Sequence, residues 1–356
     1  MNPTASSSGL DGVVAADTAL SHVDGALGRL VISGHDVETL TETARFEDVA
    51  AALWRAAGLA VDPAALGAGR VEAAERLRRL GDALDAADGM DALRAGVAHV
   101  APTGELAVDA ARVTGAVAVI AAAWARRRAG LPAVAPDPSA SHAADLLRMV
   151  TGEVADAARV RAMDAYLVTV SDHGMNASTF AARVVASTGS DVVSAVVAAI
   201  GALKGPLHGG APGPVLDMLD AIGTPDGAEP WLRAELAAGR RIMGMGHRIY
   251  RVRDPRAAVL ERALTALDAD AGRLPLARAV ESTAARLLRD RRPDRPLCAN
   301  VEFYTAVLLD AVGLPRTLFT PTFAIARVAG WTAHVAEQVA TGRLIRPASR
   351  YVGAMP

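Results

Sequence analysis

Cysteine and lysine are almost missing from this sequence: Cys298 and Lys204 stand alone in 356 residues. A lone cysteine excludes an internal disulfide and a cysteine-based zinc site. Arginine supplies the other positive charges and the formal net charge is −2, so no global basic field points to nucleic acid. Aromatic residues are only 4% while hydrophobic residues reach 51%, with alanine doing much of the filling. That balance favours helices packed closely through small side chains. The longest apolar runs, around 113–125 and 192–203, are short and broken by glycine, so no membrane span is expected. Residues 1–9 are small and polar, with neither the basic nor the apolar segment of a secretory signal. Length and composition predict a soluble, cytoplasmic protein of about two domains. There is no Gly-x-x-x-x-Gly-Lys-Ser/Thr loop and no Gly-x-Gly-x-x-Gly fingerprint; Gly244-Met-Gly246 fails at the third glycine. No nucleophile elbow occurs either.

What is present is helical periodicity. Residues 12–32 read as short extended pieces around an Asp24-Gly25 turn signal. From residue 37 onward the pattern predicts helices near 46–57, 64–84, 90–97, 106–128, 143–151, 177–186, 192–204, 255–267, 276–288 and 300–313. A last helix is predicted over 320–342, begun by Thr320-Pro321 as a cap followed by proline. Residues 166–171 form a short apolar stretch leading into Asp172-His173-Gly174. The expected fold class is all-α, with minor strands near the N-terminus.

The most unusual stretch is 244–256. It holds His247, the arginines Arg248, Arg251, Arg253 and Arg256, and a single acid, Asp254. Gly244 and Gly246 allow close backbone approach to a ligand. Asp254-Pro255 reads as an N-cap followed by proline at the first helical position, placing Arg256 in a first turn that favours anions. A polycarboxylate or phosphorylated cofactor fits this place; a solvated basic loop is the plain alternative.

Of eight histidines, His173, His208 and His247 sit among helix breakers, where side chains are available for chemistry. His22, His35, His99, His142 and His334 read as surface or satisfied histidines. A metal set of His173, His208, His247 and Glu302 is chemically conceivable, but no His-x-x-x-His or His-Glu-x-x-His pair supports it and no metal is expected. Glu302 falls at a helix start, where the helix N-terminus would keep a carboxylate ionised as a base, or simply complement the dipole. Phe323, Arg327, Trp331 and His334 fall on one helix face, where a guanidinium needs an anionic partner, structural or substrate.

Taken in order, these blocks resemble the citrate synthase family. The matching segments are Ser-Asp-His-Gly-Met-Asn-Ala-Ser-Thr at 171–179, Gly-Pro-Leu-His-Gly-Gly-Ala at 205–211 and Gly-Met-Gly-His-Arg-Ile-Tyr at 244–250 with Asp-Pro-Arg-Ala at 254–257. They continue with Asn-Val-Glu-Phe-Tyr at 300–304, Phe-Ala-Ile-Ala-Arg-Val-Ala-Gly-Trp at 323–331 and Arg-Pro-Ala-Ser-Arg-Tyr-Val-Gly at 346–353. Gly-Leu-Asp-Gly-Val-Val and Thr-Ala-Leu-Ser-His within 9–22 resemble the short bacterial members. The likeness covers nearly the whole chain and is weakest between about 55 and 105.

The resemblance implies a homodimer whose subunits have a large domain, 1–210 with 314–356, and an inserted small domain, 211–313, with the active site in the cleft between them. It implies oxaloacetate and acetyl-CoA as substrates and no tightly bound cofactor. By position, His208 would stabilise the enol(ate) of acetyl-CoA, Glu302 would abstract the proton, and His247 would protonate the oxaloacetate carbonyl. His173, Arg256 and Arg327 would hold the oxaloacetate carboxylates, with Arg346 reaching in from the partner subunit. Arg251 and the Gly244–Gly246 turn lie where the family approaches CoA. One departure stands out: the family's usual residue at 302 is aspartate, and here it is glutamate. Other readings are 2-methylcitrate synthesis from propionyl-CoA, citryl-CoA cleavage, and a non-catalytic paralogue binding oxaloacetate or CoA.

Overall fold

A computed structural model describes residue 10 and residues 12–209, 212–267, 272–291, 293 and 297–355. The polar segment 1–9 and the expected domain boundary at 210–211 lie outside the described residues. Within them the chain is helical apart from one small sheet. Strands β1 (Ser21–Asp24), β2 (Arg29–Ile32) and β3 (His35–Asp36) pair antiparallel in the order β1-β2-β3, with Ser21 opposite Ile32 and Val31 opposite Asp36. The predicted turn at Asp24 joins the first two, where the Asp24 carboxylate accepts from the Ala26 and Leu27 N–H groups. Leu30 and Ile32 point inward at alternate positions.

Among the described residues fifteen α-helices follow: α1 (Val37–Thr43), α2 (Phe46–Ala56), α3 (Ala65–Arg76), α4 (Gly89–Val97), α5 (Leu106–Arg128), α6 (His142–Thr151), α7 (Ala157–Val170), α8 (Ala177–Ala186), α9 (Val192–Leu203), α10 (Pro212–Ile222), α11 (Ala228–Ala237), α12 (Pro255–Ala266), α13 (Leu274–Arg291), α14 (Val301–Ala311) and α15 (Phe319–Thr341). Caps explain many of the starts. Asn176, Asp191, Asp254 and Asn300 each accept a hydrogen bond from a first-turn N–H.

The core lies around α5 and α15, both 23 residues long. By length and composition α5 could cross a bilayer, contrary to the reading of its apolar run as too short. Instead, 78% of its most apolar stretch is buried inside the fold. It packs against α3 at backbone distance: a Cβ on Gly115 would sit 2.6 Å from the Arg70 nitrogen, and one on Gly69 would sit 2.9 Å from the Ala111 carbonyl oxygen. The small-residue composition therefore does what it predicts. Helix α15 packs against α2, α5, α7, α8 and α9, and buries Phe319, Phe323 and Trp331.

Four expectations change. The predicted helix over 64–84 stops at Arg76 and continues as two short 3₁₀ turns, Leu77–Arg79 and Ala83–Asp85, with Gly81 between them in the left-handed conformation at φ +59°. The apolar stretch 166–171 is the end of α7 and its C-cap, not an isolated segment. Helices α10 and α11 lie where the periodicity predicts none; Pro214 and Pro230 fall near helix starts that tolerate them. Thr320 does not cap α15, which begins at Phe319; its hydroxyl donates to the Gly209 carbonyl at 2.8 Å and pins the loop that carries His208.

Candidate active site

Three loops carry His173, His208 and His247, and three helices, α12, α14 and α15, carry Arg256, Glu302 and Arg327. His173 lies in the loop between α7 and α8. That loop is anchored from the N-terminal sheet: the Ser21 hydroxyl donates to Asp172 at 2.5 Å and accepts from the Gly174 N–H at 2.8 Å. His173 is buried, and its Nε2 is 3.1 Å from the Tyr250 hydroxyl. Its ring meets those of His247 and Tyr250 edge-on, at centroid distances of 5.8 and 5.7 Å. Burial, with Arg256 and Arg327 nearby, pushes its pKa well below the ordinary histidine value.

His247 has a defined tautomer. Its Nδ1 accepts from the N–H groups of Ile249 and Tyr250, at 3.0 and 3.1 Å. A neutral imidazole with Nδ1 occupied as acceptor carries its proton on Nε2. That nitrogen faces a terminal nitrogen of Arg256 at 3.4 Å. Two donors thus face each other, and an anionic or carbonyl oxygen beside them could accept from both. Burial first and Arg256 second lower the His247 pKa to about 4, so the ring is neutral at pH 7.

Arg256 stands in the first turn of α12 as predicted, capped by Asp254 and following Pro255. Arg327, from the middle of α15, is buried too. Its Nε donates to the Val170 carbonyl at 2.6 Å and its guanidinium stacks over Phe323 at 4.7 Å. One terminal nitrogen of Arg327 has no hydrogen-bond partner. No ion pair reaches Arg327 among the described residues, and burial lowers its pKa to about 10, still cationic at pH 7.

His208 follows α9. Its Nε2 accepts from the Ser178 N–H at 3.3 Å and lies 2.8 Å from the Ser178 hydroxyl, which also accepts from the Trp331 Nε1–H at 3.1 Å. A backbone N–H can only donate, so the His208 proton resides on Nδ1. Burial lowers its pKa to about 4. Ser178 and Trp331 are thus the residues that orient His208, and sequence reasoning assigns neither that task.

Glu302 is the second residue of α14, held at its N–H by the Asn300 cap. The expectation that the helix N-terminus keeps it readily ionised does not hold. Burial raises its pKa to about 7, outweighing the nearby guanidinium groups of Arg256 and Arg327. Its Oε2 is buried without a hydrogen-bond partner.

Gly244 and Gly246 adopt φ +71° and +91°. A Cβ on Gly244 would meet Phe303 at 2.8 Å, so this glycine answers to packing against α14. The turn is tied to the strand-like segment before α14, with the Gly246 N–H donating to Cys298 and the Asn300 N–H to Gly244. Gly246 and His247 line one edge of a cavity of about 890 Å³ whose walls carry Arg240, Arg241, Arg248 and Arg291. Arg251 is exposed and outside that lining; its N–H donates to the Gly25 carbonyl at 2.8 Å. Arg346 lies in the exposed segment after α15.

Two buried histidines lie outside the site. His334 is satisfied, between Arg183 at 3.0 Å and Asp172 at 3.3 Å. His142 is neither at the surface nor fully satisfied. It packs on the Phe46 ring with Nδ1 3.3 Å from Arg70, and its Nε2 has no partner.

The family profile described as citrate synthase, C-terminal domain, matches residues 9–348. The chain belongs to the citrate synthase family. It is 38% identical to a citrate synthase of Haloferax volcanii, an alignment covering 97% of this chain and 95% of the relative. It is also 38% identical to a 2-methylcitrate synthase of Mycobacterium tuberculosis, over 97% of this chain and 90% of the relative. Among solved structures it superposes, with a TM-score of 0.87 and 28% identity, on the ternary complex of carboxymethyl coenzyme A and oxaloacetate with citrate synthase from Thermoplasma acidophilum. That match covers 98% of this chain and 96% of the other.

Proposed function

We propose that this enzyme condenses an acyl-CoA with oxaloacetate and hydrolyses the resulting thioester, with acetyl-CoA as the acyl donor. The observation that carries the reading is a set of donors converging on one place: His247 Nε2–H opposite Arg256, with an unpartnered Arg327 nitrogen nearby. Such a set suits a keto dicarboxylate, whose carboxylates take guanidinium donors and whose carbonyl oxygen takes the imidazole N–H.

In this reading Glu302 accepts a proton from the carbon next to the thioester. A carboxyl poised near pH 7 matches that task better than one at the usual carboxylate pKa. The Nδ1–H of His208, neutral at this pH, donates to the oxygen on which enolate charge develops. The enolate carbon attacks the keto carbon of oxaloacetate as His247 donates from Nε2 to the keto oxygen. Water then cleaves the thioester and releases CoA. His173 contributes to oxaloacetate binding, and Gly244, Gly246 and Arg251 belong to the approach to CoA. The cavity arginines Arg240, Arg241, Arg248 and Arg291 add positive charge beside His247 for a phosphorylated donor.

The reading extends to a small domain over 211–313 that closes on the rest of the chain, and to a homodimer in which Arg346 completes the neighbouring site. Oxaloacetate with acetyl-CoA, then with propionyl-CoA, in a thiol-release assay is the decisive test. Absence of CoA release with either donor overturns the proposal. Propionyl-CoA is the second reading, because the 2-methylcitrate synthase relative is as similar as the citrate synthase one. One methylene separates the two donors, a difference that a pocket discriminates by only about 1–3 kcal/mol.

A further inference from the structure

The β1–β2 hairpin touches both loops that carry the facing histidines. At one end the Ser21 side chain spans His173: its hydroxyl donates to the Asp172 carboxylate at 2.5 Å and accepts from the Gly174 N–H at 2.8 Å. At the other end the Gly25 carbonyl accepts from the Arg251 N–H at 2.8 Å, and a Cβ on Gly25 would overlap the Ile249 carbonyl. Ile249 and Arg251 flank Tyr250. The Tyr250 hydroxyl is 3.1 Å from His173 Nε2, and its N–H is one of the two that hold His247 Nδ1. Ser21 opens β1 and Gly25 directly follows it, so one strand of 4 residues separates the supports of two rings whose centroids are 5.8 Å apart.

The strand is itself fixed from behind. The Ala19 N–H donates to Glu337 at 2.8 Å, and Glu337 accepts from Arg183 at 2.6 Å. Arg183 also donates to His334 Nδ1 at 3.0 Å, which leaves the His334 proton on Nε2, 3.2 and 3.3 Å from the two Asp172 oxygens. The path closes on Ser21 through Asp172, and Arg183, His334 and Asp172 are all buried. Ser21 and Val23 share a face of the strand, and Val23 lies 3.8 Å from where a Cβ on Gly174 would sit. Only a hydroxyl serves both of the Ser21 partners, because it donates and accepts at once. Without it, the nearest acceptor for the Gly174 N–H is the Asp172 oxygen at 3.4 Å, and a buried carboxylate loses a donor.

We propose that the β1–β2 hairpin sets the spacing of His173 and His247, with Ser21 as the positioning residue for His173 and Gly25 as that for the His247 loop. The inference rests on the reading of both histidines as oxaloacetate ligands. Neither Ser21 nor Gly25 touches the substrate in this role; each acts through the loop it holds. Two groups aimed at one small dicarboxylate depend on their mutual distance, since a ring displaced by about 1 Å no longer reaches its acceptor. Releasing the His173 loop should therefore weaken oxaloacetate binding and spare CoA.

The experiment measures oxaloacetate and CoA affinity by calorimetry, and amide exchange by mass spectrometry, in the wild type, Ser21→Ala, Ser21→Thr, Gly25→Ala and His173→Asn. Arg29→Ala removes the exposed Arg29–Asp36 pair between β2 and β3 and controls for general loosening of the sheet. Ser21→Ala should raise the oxaloacetate Kd by about tenfold, the scale of one lost charge-assisted hydrogen bond, and speed exchange at Gly174. Gly25→Ala should weaken oxaloacetate similarly and speed exchange at Arg251. Ser21→Thr, which keeps the hydroxyl, and Arg29→Ala should bind oxaloacetate as the wild type does. In a His173→Asn background, Ser21→Ala should add nothing further.

A folded Ser21→Ala protein with wild-type oxaloacetate affinity overturns the proposal. So does an equal loss of CoA affinity, an equal oxaloacetate loss in Ser21→Thr or Arg29→Ala, or an undiminished effect in the His173→Asn background. If Ser21→Ala does not fold, Gly25→Ala decides by the same measure. Failure of the underlying reading looks different: His173→Asn would then bind oxaloacetate like the wild type, and the positioning role falls with it. A weakened His173→Asn beside an unaffected Ser21→Ala refutes the hairpin's role alone.

Discussion

Asp254 holds Arg256 with both carboxylate oxygens, at 3.0 Å to Nε and 2.7 Å to a terminal nitrogen. The same oxygens accept from the backbone N–H groups of Arg256 at 3.0 Å and Val301 at 3.1 Å. One side chain therefore starts α12, fastens the first turn of α14 and partly neutralises a guanidinium of the candidate site. Among the described residues no acid pairs with Arg327 in this way, and its unpartnered terminal nitrogen is the stronger claim on a substrate carboxylate.

These two arginines should therefore fail differently. Arg327→Leu is expected to weaken oxaloacetate binding by roughly 2–5 kcal/mol with little loss of thermal stability, since a buried charge without a carboxylate partner leaves with it. Arg256→Leu should weaken oxaloacetate and also lower Tm, because Asp254 remains buried and unpaired. Calorimetric titration and thermal melts check both. Wild-type oxaloacetate affinity in both variants would remove these arginines from the site.

Glu302 sets a pH dependence of stability whose sign follows from its raised pKa. The folded protein holds its proton up to about pH 7, against 4.5 for an ordinary glutamate. Its stabilising contribution is present below pH 4.5 and lost as pH rises through about 7. Glu302→Gln, which has no charge to bury, should be more stable than wild type above pH 7 by on the order of 2–3 kcal/mol. That difference should fade as the pH falls to the ordinary glutamate range. Denaturant titrations on the acid and alkaline sides of neutrality, at about pH 5 and about pH 8, give the comparison. Equal stability of the two proteins on the alkaline side would show the carboxylate to be better solvated than its burial implies.

Much of this arrangement is legible in the sequence. The cap read at Asp254 announces α12, since that side chain does locally what its type does in isolation. Helices α10 and α11 are hidden because glycine and proline mask periodicity even when the prolines sit near tolerant helix starts. Arg240 and Arg241 follow α11 and look like ordinary solvated charges; only the fold shows that they line the same cavity as His247. The ionisation of Glu302 is equally out of reach, because the helix terminus is a local feature and burial is a tertiary one.

The shared site can be tested by complementation. Arg346 lies in the exposed tail beyond α15. If it completes a neighbour's site, an inactive Arg346→Ala chain co-expressed with an inactive His247→Ala chain should recover some activity, because one site of the mixed dimer keeps both residues. Heterodimers that form without recovery would confine Arg346 to its own subunit.

If Glu302 is the base, it makes the sharpest demand on the pH profile. Its carboxylate is buried and poised near pH 7, while His208 and His247, both lowered to about 4, stay neutral around it. The acid limb of kcat/KM should then fall near pH 7 and belong to Glu302. Glu302→Gln should lose condensation by about a hundredfold or more, since an amide cannot take the proton. It should still bind oxaloacetate, because Glu302 acts on the acyl partner. Glu302→Asp should remain active without greatly exceeding wild type, as withdrawing the carboxylate by about one methylene misplaces it on a scale where about 1 Å can cost a hundredfold. Solvent exchange of the acyl-CoA methyl protons, followed beside turnover, isolates the abstraction step. Exchange and turnover should fall together in Glu302→Gln. Near-normal turnover in that variant would dismiss Glu302, and a large rate gain in Glu302→Asp with acetyl-CoA would show that the glutamate is fitted to a different acyl donor.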